Sequence, residues 1–204
     1  MELTALYARS VDLAAEVVDT VTPAHMDLAT PCGDWTLRRL MEHIVGQHQG
    51  FAAAARGAGP DLALWADAPV GDDPAGAFRR TAEDLKAAFA EAEAEAADRK
   101  LWLPEIRDGG PFPLELAVGF QLVDTLVHAW DVAASLGTPS GLAAAVNGDP
   151  ALAAALVSAS ELVPAGPESR GPDRAFRERL PQEDADTPFE RALALLGRDP
   201  AWKP

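Results

Sequence analysis

One long segment of this chain is apolar on nearly every side. It covers residues 114–137, reads LELAVGFQLVDTLVHAWDVAASLG, and contains only four ionisable side chains, Glu115, Asp124, His128 and Asp131. The spacing of its apolar residues predicts a helix that ends at a glycine. A helix without a polar face is normally central in its domain, because each of its sides has to be covered by another element. The chain must therefore build its core around this helix.

The remaining predicted elements are also helices. Helical periodicity or a helix-forming composition occurs in five further segments, which cover residues 3–21, 37–55, 74–98, 150–162 and 188–196. No alternating strand pattern of consequence occurs, although residues 101–103 could form a short strand. We therefore predict an all-α protein with a four-helix bundle at its core. The bundle and one additional helix occupy residues 1–163, and residues 164–204 form a C-terminal extension, a Pro- and Gly-rich linker with a short helix that packs on the bundle.

The charge balance excludes two classes of partner. The 204 residues include 32 Asp and Glu against 17 Lys and Arg, which gives a formal net charge of -15 at pH 7. Such a field repels nucleic-acid phosphates and anionic lipid, and no basic stripe reverses it locally. We expect no nucleic acid and no membrane as partners, and a monomer or homodimer in solution.

Cysteine usage and the N-terminal residues indicate the compartment. Cys32 is the only cysteine, so no internal disulfide and no cluster of cysteine metal ligands can form. The N-terminal residues lack the basic and apolar regions of a signal peptide, and no window approaches the ~20 apolar residues of a spanning helix. We therefore expect a cytoplasmic protein. Cys32 precedes the second predicted helix, whose dipole could lower the pKa of the thiol, but a packed small residue is the interpretation we favour.

Several classes of enzyme are disfavoured by missing motifs. The sequence contains no GxSxG, GxGxxG, GxxxxGK or HExxH motif, and no Glu-x-x-His pair of the di-iron bundles. Serine hydrolases, dinucleotide-binding proteins, P-loop proteins and zincins are therefore poor matches. Chemistry is left to four histidines, one thiol and the acids of the central helix.

Three ionisable residues of the central helix share one face. At about 100° per residue, Asp124 and His128 lie ~40° apart on adjacent turns, and Asp131 falls on the same side. A buried carboxylate and imidazole would cost several kcal/mol unless they are paired or bind a metal. Spacing alone leaves three alternatives open, which are a solvent-facing strip, a polar network in which the three residues satisfy one another, and a metal site. The first two are the more common outcomes.

Three other histidines could supply a further ligand. His25 lies in a predicted loop, whereas His43 and His48 lie in the second predicted helix. His48 is near the centre of the apolar stripe of that helix, and His43 is about 120° away from it. Periodicity therefore favours His48 as the buried histidine, and it identifies neither residue as a ligand.

Three stretches of the sequence together resemble a known family. They read TPCGDWTLRRLMEHIVGQHQGFAAAARG, VDTLVHAWDVAASLG and LLGRDPAW. In this order and at this separation they resemble the actinobacterial metal-binding branch of the DinB/YfiT-like superfamily, which is related to mycothiol-dependent maleylpyruvate isomerase. The resemblance spans nearly the whole chain. It implies a DinB-like four-helix bundle that holds a divalent metal ion in its interior.

The resemblance also implies a set of metal ligands. The second-helix histidine of the family falls on His43, in MEHIVG, rather than on His48, and the later pair of ligands falls on Asp124 and His128. Asp124 is one methylene shorter than the Glu of the mycothiol-using relatives. Two imidazoles and one carboxylate leave coordination positions open and suit zinc, and they also suit nickel or non-haem iron(II). For Asp131, outside the ligand set, two roles stay open, which are to orient a ligand imidazole or to cap a neighbouring indole.

The same resemblance implies an activity. In the related enzymes a low-molecular-weight thiol, such as mycothiol, binds the metal, loses its proton and attacks a small electrophilic substrate as a thiolate. We therefore expect a metal-dependent thiol transferase or isomerase with a small-molecule substrate and a thiol cosubstrate. A hydrolase in which the metal activates water is the enzymatic alternative. A non-catalytic metal-binding or helical interaction module is the alternative outside the enzymes.

Overall fold

The apolar segment forms the central helix of the molecule. In the computed structural model, which describes residues 2–96, 98–106, 109–171, 174–183 and 185–204, helix α4 covers Leu114–Ser135. Leu122, Leu126 and Val132 on this helix are completely buried. The helix ends before Gly137, whose φ of 74° is a left-handed conformation that glycine adopts without strain. The prediction of a buried central helix is confirmed.

Three further helices complete a four-helix bundle with α4. They are α1 (Leu3–Val18), α2 (Leu37–Ala55) and α3 (Pro74–Glu95). Helix α1 packs on α4 and α3, and α2 packs on α3 and α4. The predicted all-α class, with a four-helix bundle at its core, is confirmed.

The helix boundaries follow the sequence except at two C-termini. Thr36 caps α2, as its sequence position predicts, and accepts a hydrogen bond from the Arg39 N–H at 3.4 Å. Helix α1 ends three residues before its predicted end, because Thr20 and Val21 form the tighter i→i−3 hydrogen bonds that close a helix. Helix α3 also ends three residues early, because Ala96 is extended, with a φ of -162°.

Three shorter helices add to the bundle. They are α5 (Pro139–Asn147), α6 (Pro150–Glu161) and α7 (Pro188–Leu195). Helix α6 packs on α4 and α1, and α7 packs on α6 and α5. The sequence does not predict α5, because this helix buries only Leu142 and Val146 and so has no stripe long enough to recognise.

The connections before and after α3 both have a defined structure. The first, residues 62–68, lies flat on α2 because two glycines one turn apart leave room for it. A Cβ on Gly46 would be 2.4 Å from the Ala66 carbonyl oxygen, and a Cβ on Gly50 would be 2.4 Å from the Trp65 indole. The second connection contains a short antiparallel hairpin of β1 (Lys100–Leu101) and β2 (Phe112–Pro113).

The C-terminal extension returns to the bundle. Arg170, which is 3% exposed, donates hydrogen bonds to the backbone carbonyls of Pro164 and Arg177. Gly197 has a φ of 72° and lies so close to this segment that a Cβ would be 2.7 Å from the Arg177 carbonyl oxygen. The turn at Gly197 brings Arg198 into contact with α4.

No single helix in the described part of the chain is long and apolar enough to cross a membrane. Helices α5 and α6 satisfy those criteria of length and composition only as a pair, which is bent by 104°.

Candidate metal centre

Three half-buried side chains from two helices of the bundle converge. One potential ligand atom each from His43 on α2 and from Asp124 and His128 on α4 lie within 4.8 Å of one another. The distance between Asp124 Oδ1 and His128 Nε2 is 3.4 Å. Two ligands bonded to one tetrahedral zinc ion are separated by about 3.3 Å, so this pair has the spacing of ligands that share an ion. The structure brings together the three residues that the family resemblance implies.

The ring of His128 is oriented by Asp131. His128 Nδ1 lies 3.0 Å from Asp131 Oδ2, and an ionised carboxylate can only accept, so Nδ1 carries the proton of this hydrogen bond. Nε2, which faces Asp124, is then the nitrogen that offers a lone pair when the ring is neutral. A carboxylate that fixes the direction of a histidine in this way is a common partner of metal ligands.

Asp131 is completely buried and accepts hydrogen bonds from two side chains besides His128. Arg198 Nε lies 3.0 Å from Oδ1, Arg198 Nη2 lies 3.1 Å from Oδ2, and Cys32 Sγ lies 3.0 Å from Oδ2. Burial by itself raises the pKa of Asp131, but the charge of Arg198 and the hydrogen bond from His128 outweigh it and hold the pKa well below its ordinary value. Asp131 is therefore ionised, and Arg198 balances its charge.

Cys32 belongs to the hydrogen-bond network around Asp131. Its Sγ lies 3.9 Å from His128 Nδ1, the nitrogen that does not face Asp124, and 3.4 Å from Arg198 Nη2. Cys32, His128 and Asp131 form a second group of potential ligands among the described residues. A cation there would have to replace the Nδ1 proton of His128 and would lie beside the positive guanidinium. We therefore prefer His43, Asp124 and His128 as the metal site. Cys32 is not merely a packed small residue, because its thiol takes part in the hydrogen-bond network around Asp131.

His43 is held in place by one carboxylate and two aromatic rings. Its Nδ1 lies 3.4 Å from Asp67 Oδ1, and its ring meets the rings of Trp35 and His128 edge-on, with centroids 5.0 and 5.5 Å away. Burial lowers the pKa of His43 and the charge of His128 lowers it further, while nearby carboxylates offset only part of the change. The ring is therefore neutral near pH 7, which is the form that binds a metal.

Two histidines lie outside the triad. His48 is completely buried, as periodicity predicts, but its Nδ1 lies 3.0 Å from Thr81 Oγ1 on α3. His25 lies in a 3-10 turn, where its Nδ1 accepts a hydrogen bond from the Thr22 N–H at 3.2 Å. Burial alone thus selects His48, whereas proximity to the carboxylate and imidazole of α4 selects His43.

The pKa of His128 is set by opposing effects. Burial lowers it, but the charge of Asp124, the hydrogen bond to Asp131 and the contact with Cys32 raise it to well above its ordinary value. In the metal-free protein the ring is therefore protonated near pH 7. A metal ion has to displace the Nε2 proton, so metal binding is coupled to proton release.

Three residues near the triad escape prediction from the sequence. Asp67 contacts His43, and Glu105 Oε2 accepts a hydrogen bond at 2.6 Å from Gln47, one turn after His43 on α2. Arg198 is the third, and a signal for it existed, because it lies in the LLGRDPAW stretch that carries the family resemblance. No sequence pattern marks Asp67 or Glu105, because both lie in irregular loops.

The fold and this group of side chains define a class of protein. It is the DinB-like helical bundle with a candidate metal site between its helices. Within that class, the chain belongs to the family described as the mycothiol maleylpyruvate isomerase N-terminal domain, whose model matches residues 7–133. The matched range contains all three residues of the triad and Asp131, whereas Arg198 lies beyond it.

Two similar proteins come from strains of Mycobacterium tuberculosis. They are the uncharacterized protein MT0763 and the uncharacterized protein Rv0738. Each is 29% identical to this chain over 198 residues, which cover 94% of this chain and 95% of the relative. No solved structure matches the chain.

Proposed function

We propose that this protein binds a divalent metal ion through His43, Asp124 and His128 and uses it to activate a low-molecular-weight thiol, which transfers to, or isomerises, a small electrophile. The observation that carries the proposal is the convergence of the three potential ligand atoms within 4.8 Å. The family description, which names mycothiol, supports a thiol as the cosubstrate. Zinc is the metal we expect, and nickel and iron(II) are the alternatives.

Each residue of the triad has a task in this proposal. His43 and His128 offer neutral nitrogens, and Asp124 offers a negative oxygen that offsets part of the metal charge. Three protein ligands leave at least one coordination position open, as catalytic zinc sites do and structural zinc sites usually do not. When bound, the metal would lower the pKa of a thiol placed at that position, so that the thiol reacts as a thiolate.

The residues around the triad orient one of its ligands and provide an acceptor for the proton of the thiol. Asp131 accepts a hydrogen bond from His128 Nδ1–H and thereby directs Nε2 toward Asp124, and Arg198 keeps Asp131 ionised. The proton lost by a thiol needs an acceptor, and the carboxylate of Asp67, which is 45% exposed beside His43, can pass it to solvent. A thiol cosubstrate needs a reducing compartment, so the proposal places the protein in the cytoplasm, where its free Cys32 also stays reduced.

Metal content tests the first half of the proposal. We expect about one equivalent of metal in the wild-type protein purified without chelator and in the control variant His25→Ala, which changes a histidine outside the triad. His128→Ala should lose the metal, and Asp124→Asn should bind it at least tenfold more weakly. Asp124→Glu should keep the stoichiometry because it keeps the charge. A wild-type protein that takes up no zinc, nickel or iron(II) after dialysis would refute the proposal and favour the helical interaction module.

Cobalt substitution tests the second half. Addition of mycothiol to the cobalt(II) protein should produce a sulfur-to-cobalt charge-transfer band and a change in the visible spectrum, and glutathione serves as a comparison thiol. If metal is bound stoichiometrically and no thiol alters the spectrum, the transferase proposal is wrong. The metal-dependent hydrolase then becomes the better candidate.

A further inference from the structure

A surface cavity lies where the C-terminal extension folds back against the segment that precedes α2. Its volume is about 180 Å³, and its walls include two arginines, Arg177 and Arg198. None of the residues that line it belongs to the triad. A single water molecule needs about 10–15 Å³ of such volume, so the cavity has room for a group of several non-hydrogen atoms.

Arg198 reaches this cavity with a nitrogen that its ion pair with Asp131 leaves unused. Its Nε and Nη2 face Asp131, and Nη2 also lies 3.4 Å from Cys32 Sγ. Nη1 has no hydrogen-bond partner among the described residues, and it is not one of the polar atoms sealed from solvent. Because Arg198 is only 5% exposed and lines the cavity, Nη1 meets open space there. Such a buried cation with a free N–H calls for an acceptor.

Backbone contacts fix Arg177 beside Arg198. The Arg177 carbonyl oxygen accepts a hydrogen bond from Arg170 Nη1 at 2.9 Å, and a Cβ on Gly197 would be 2.7 Å from the same oxygen. The Arg177 guanidinium lies against Gly33, where an added Cβ would be 3.3 Å from Nη2. This guanidinium forms no ion pair or hydrogen bond among the described residues. A second set of unused N–H donors therefore faces the cavity.

The charges around the cavity also include two carboxylates. Asp131 lies behind Arg198 and neutralises it. Asp199 is exposed, lines the cavity and accepts a hydrogen bond from the Ala201 N–H at 2.9 Å. The charge of Asp199 opposes binding of an anion, so the unused N–H donors, rather than a net positive charge, favour it. Carboxylate and phosphate oxygens are the acceptors that guanidinium groups bind most strongly.

Another part of the wall is apolar. Pro31 and the half-buried Trp202 line the cavity together with the two arginines. An indole and a proline ring offer surface to a carbon skeleton and no charge to an anion. The lining therefore suits a molecule with an anionic end and an apolar part better than it suits a bare inorganic ion.

We propose that this cavity binds a small organic anion. Its carboxylate or phosphate accepts hydrogen bonds from Arg198 Nη1 and from the Arg177 guanidinium, and its carbon skeleton packs against Pro31 and Trp202. The site is distinct from the metal centre, because one edge of the Arg198 guanidinium faces Asp131 and Nη1 faces the cavity. The inference does not rest on the proposed function, since no metal takes part in it.

NMR titration of the metal-free wild-type protein tests the proposal, and the absence of metal prevents the anion from binding to zinc instead. The probes are butyrate and butyl phosphate, with butyramide as the uncharged control. The backbone amides of Gly33 and Gly197 and the indole N–H of Trp202 should shift saturably with at least one anion and not with butyramide. The anion that binds more tightly identifies the ligand as a carboxylate or a phosphate. No saturable shift with either anion, or equal shifts with butyramide, would overturn the proposal.

Three variants test the roles of the charged side chains. Arg177→Met should weaken binding of the anion about three- to tenfold, because it removes one set of charged donors at an exposed position. The matched control is Arg174→Met, which removes the same charge from an exposed arginine outside the lining and should change the affinity less than about twofold. Asp199→Asn keeps an oxygen for the Ala201 N–H and removes the opposing charge, so it should strengthen binding. Equal losses in the two arginine variants would mean that only the overall charge matters, and the proposal would be wrong.

The role of Arg198 is best followed in the wild-type protein, because its replacement also disturbs Asp131. The Nε–H resonance of Arg198 should shift during the titration with the same saturation curve as the Gly197 amide. Saturable binding that leaves this resonance unchanged would place the anion elsewhere and overturn the assignment of the cavity. A wild type that binds no metal would refute the proposed function and leave these expectations as they are.

Discussion

Arg198 and Asp131, which are 67 positions apart in the chain, form a buried ion pair in which both carboxylate oxygens are used. Asp131 also accepts a hydrogen bond from His128 Nδ1–H. A residue of the C-terminal extension is therefore connected to the candidate metal centre through two consecutive hydrogen-bonded contacts. Loss of one partner of such a pair leaves an uncompensated charge in the interior.

Replacement of the cation in this pair should affect both stability and metal binding. Arg198→Met should lower the free energy of unfolding of the metal-free protein by about 3–5 kcal/mol, because the buried carboxylate of Asp131 loses its guanidinium partner. It should also weaken zinc binding about 10–100-fold, since the partner that orients His128 is disturbed. Urea unfolding and zinc titration measure the two effects. The control is Arg56→Met, which removes an exposed pair with Asp84 and should change little.

A double variant separates the two effects. Arg198→Met combined with Asp131→Leu removes both charges and should recover much of the lost stability, because no buried charge is left unpaired. It should not recover zinc affinity, because His128 then lacks the carboxylate that orients it. Wild-type zinc affinity in the double variant would show that Asp131 does not act through His128.

The two carboxylates beside the triad histidines should differ in their effect on zinc affinity. Asp131 is completely buried, whereas the Asp67 side chain is 45% exposed and lies 3.4 Å from His43. Asp131→Asn should therefore weaken zinc binding about 10–100-fold, and Asp67→Asn should weaken it by only a small factor, because water can replace an exposed partner. Zinc titration of the two variants at equal ionic strength compares them. Equal losses would contradict this ranking.

Acid should destabilise the metal-free protein through His48. Burial lowers the pKa of His48 to about 4 in the folded protein, against about 6.5 in the unfolded chain. Between these pH values the unfolded chain binds a proton that the folded protein does not, so stability falls as the pH falls. The full effect is about 3 kcal/mol below pH 4.

The measurement compares the free energy of unfolding of the wild type and His48→Gln between pH 7 and pH 4. The variant should lose about 3 kcal/mol less than the wild type across this window, and the contributions of other titrating groups cancel in the difference. Parallel pH profiles would mean that His48 does not remain neutral in the folded protein.

Helical glycines should respond to alanine in opposite ways. Gly46→Ala places a Cβ 2.4 Å from the Ala66 carbonyl oxygen, so it should destabilise the protein by about 1–3 kcal/mol and displace the loop that carries Asp67. Gly141 on α5 has no atom within 4 Å of an added Cβ, so Gly141→Ala should be neutral or stabilise by up to about 1 kcal/mol. Thermal unfolding of the two variants provides the comparison. Similar shifts in Tm would contradict the proposed packing of the 62–68 loop.

The fold was accessible from the sequence because one pattern dominates it. A segment without a polar face has to be central, and the flanking helices carry recognisable stripes and caps such as Thr36. Helix α5 escaped because its short, Ala-rich sequence buries only two side chains. Its position depends on neighbouring helices, which periodicity in a single segment does not report.

The site was accessible only in part, for a different physical reason. Helical spacing places Asp124, His128 and Asp131 on one face. It predicts which residues of a helix are buried, but it does not predict which side chains of other helices lie next to them. For that reason periodicity favours His48, and only the family resemblance selects His43. The contacts of Arg198 join segments far apart in the chain, and only the assembled tertiary structure contains this information.

The late position of Arg198 in the chain has a consequence for biogenesis. The bundle helices leave the ribosome before the segment that follows α7, so a nascent bundle contains Asp131 without the guanidinium that neutralises it. Until that segment docks, Asp131, the partner of His128 Nδ1, lacks the two hydrogen bonds from Arg198 that hold its carboxylate. Maturation of the centre, including any loading with metal, should therefore follow collapse of the bundle rather than accompany it.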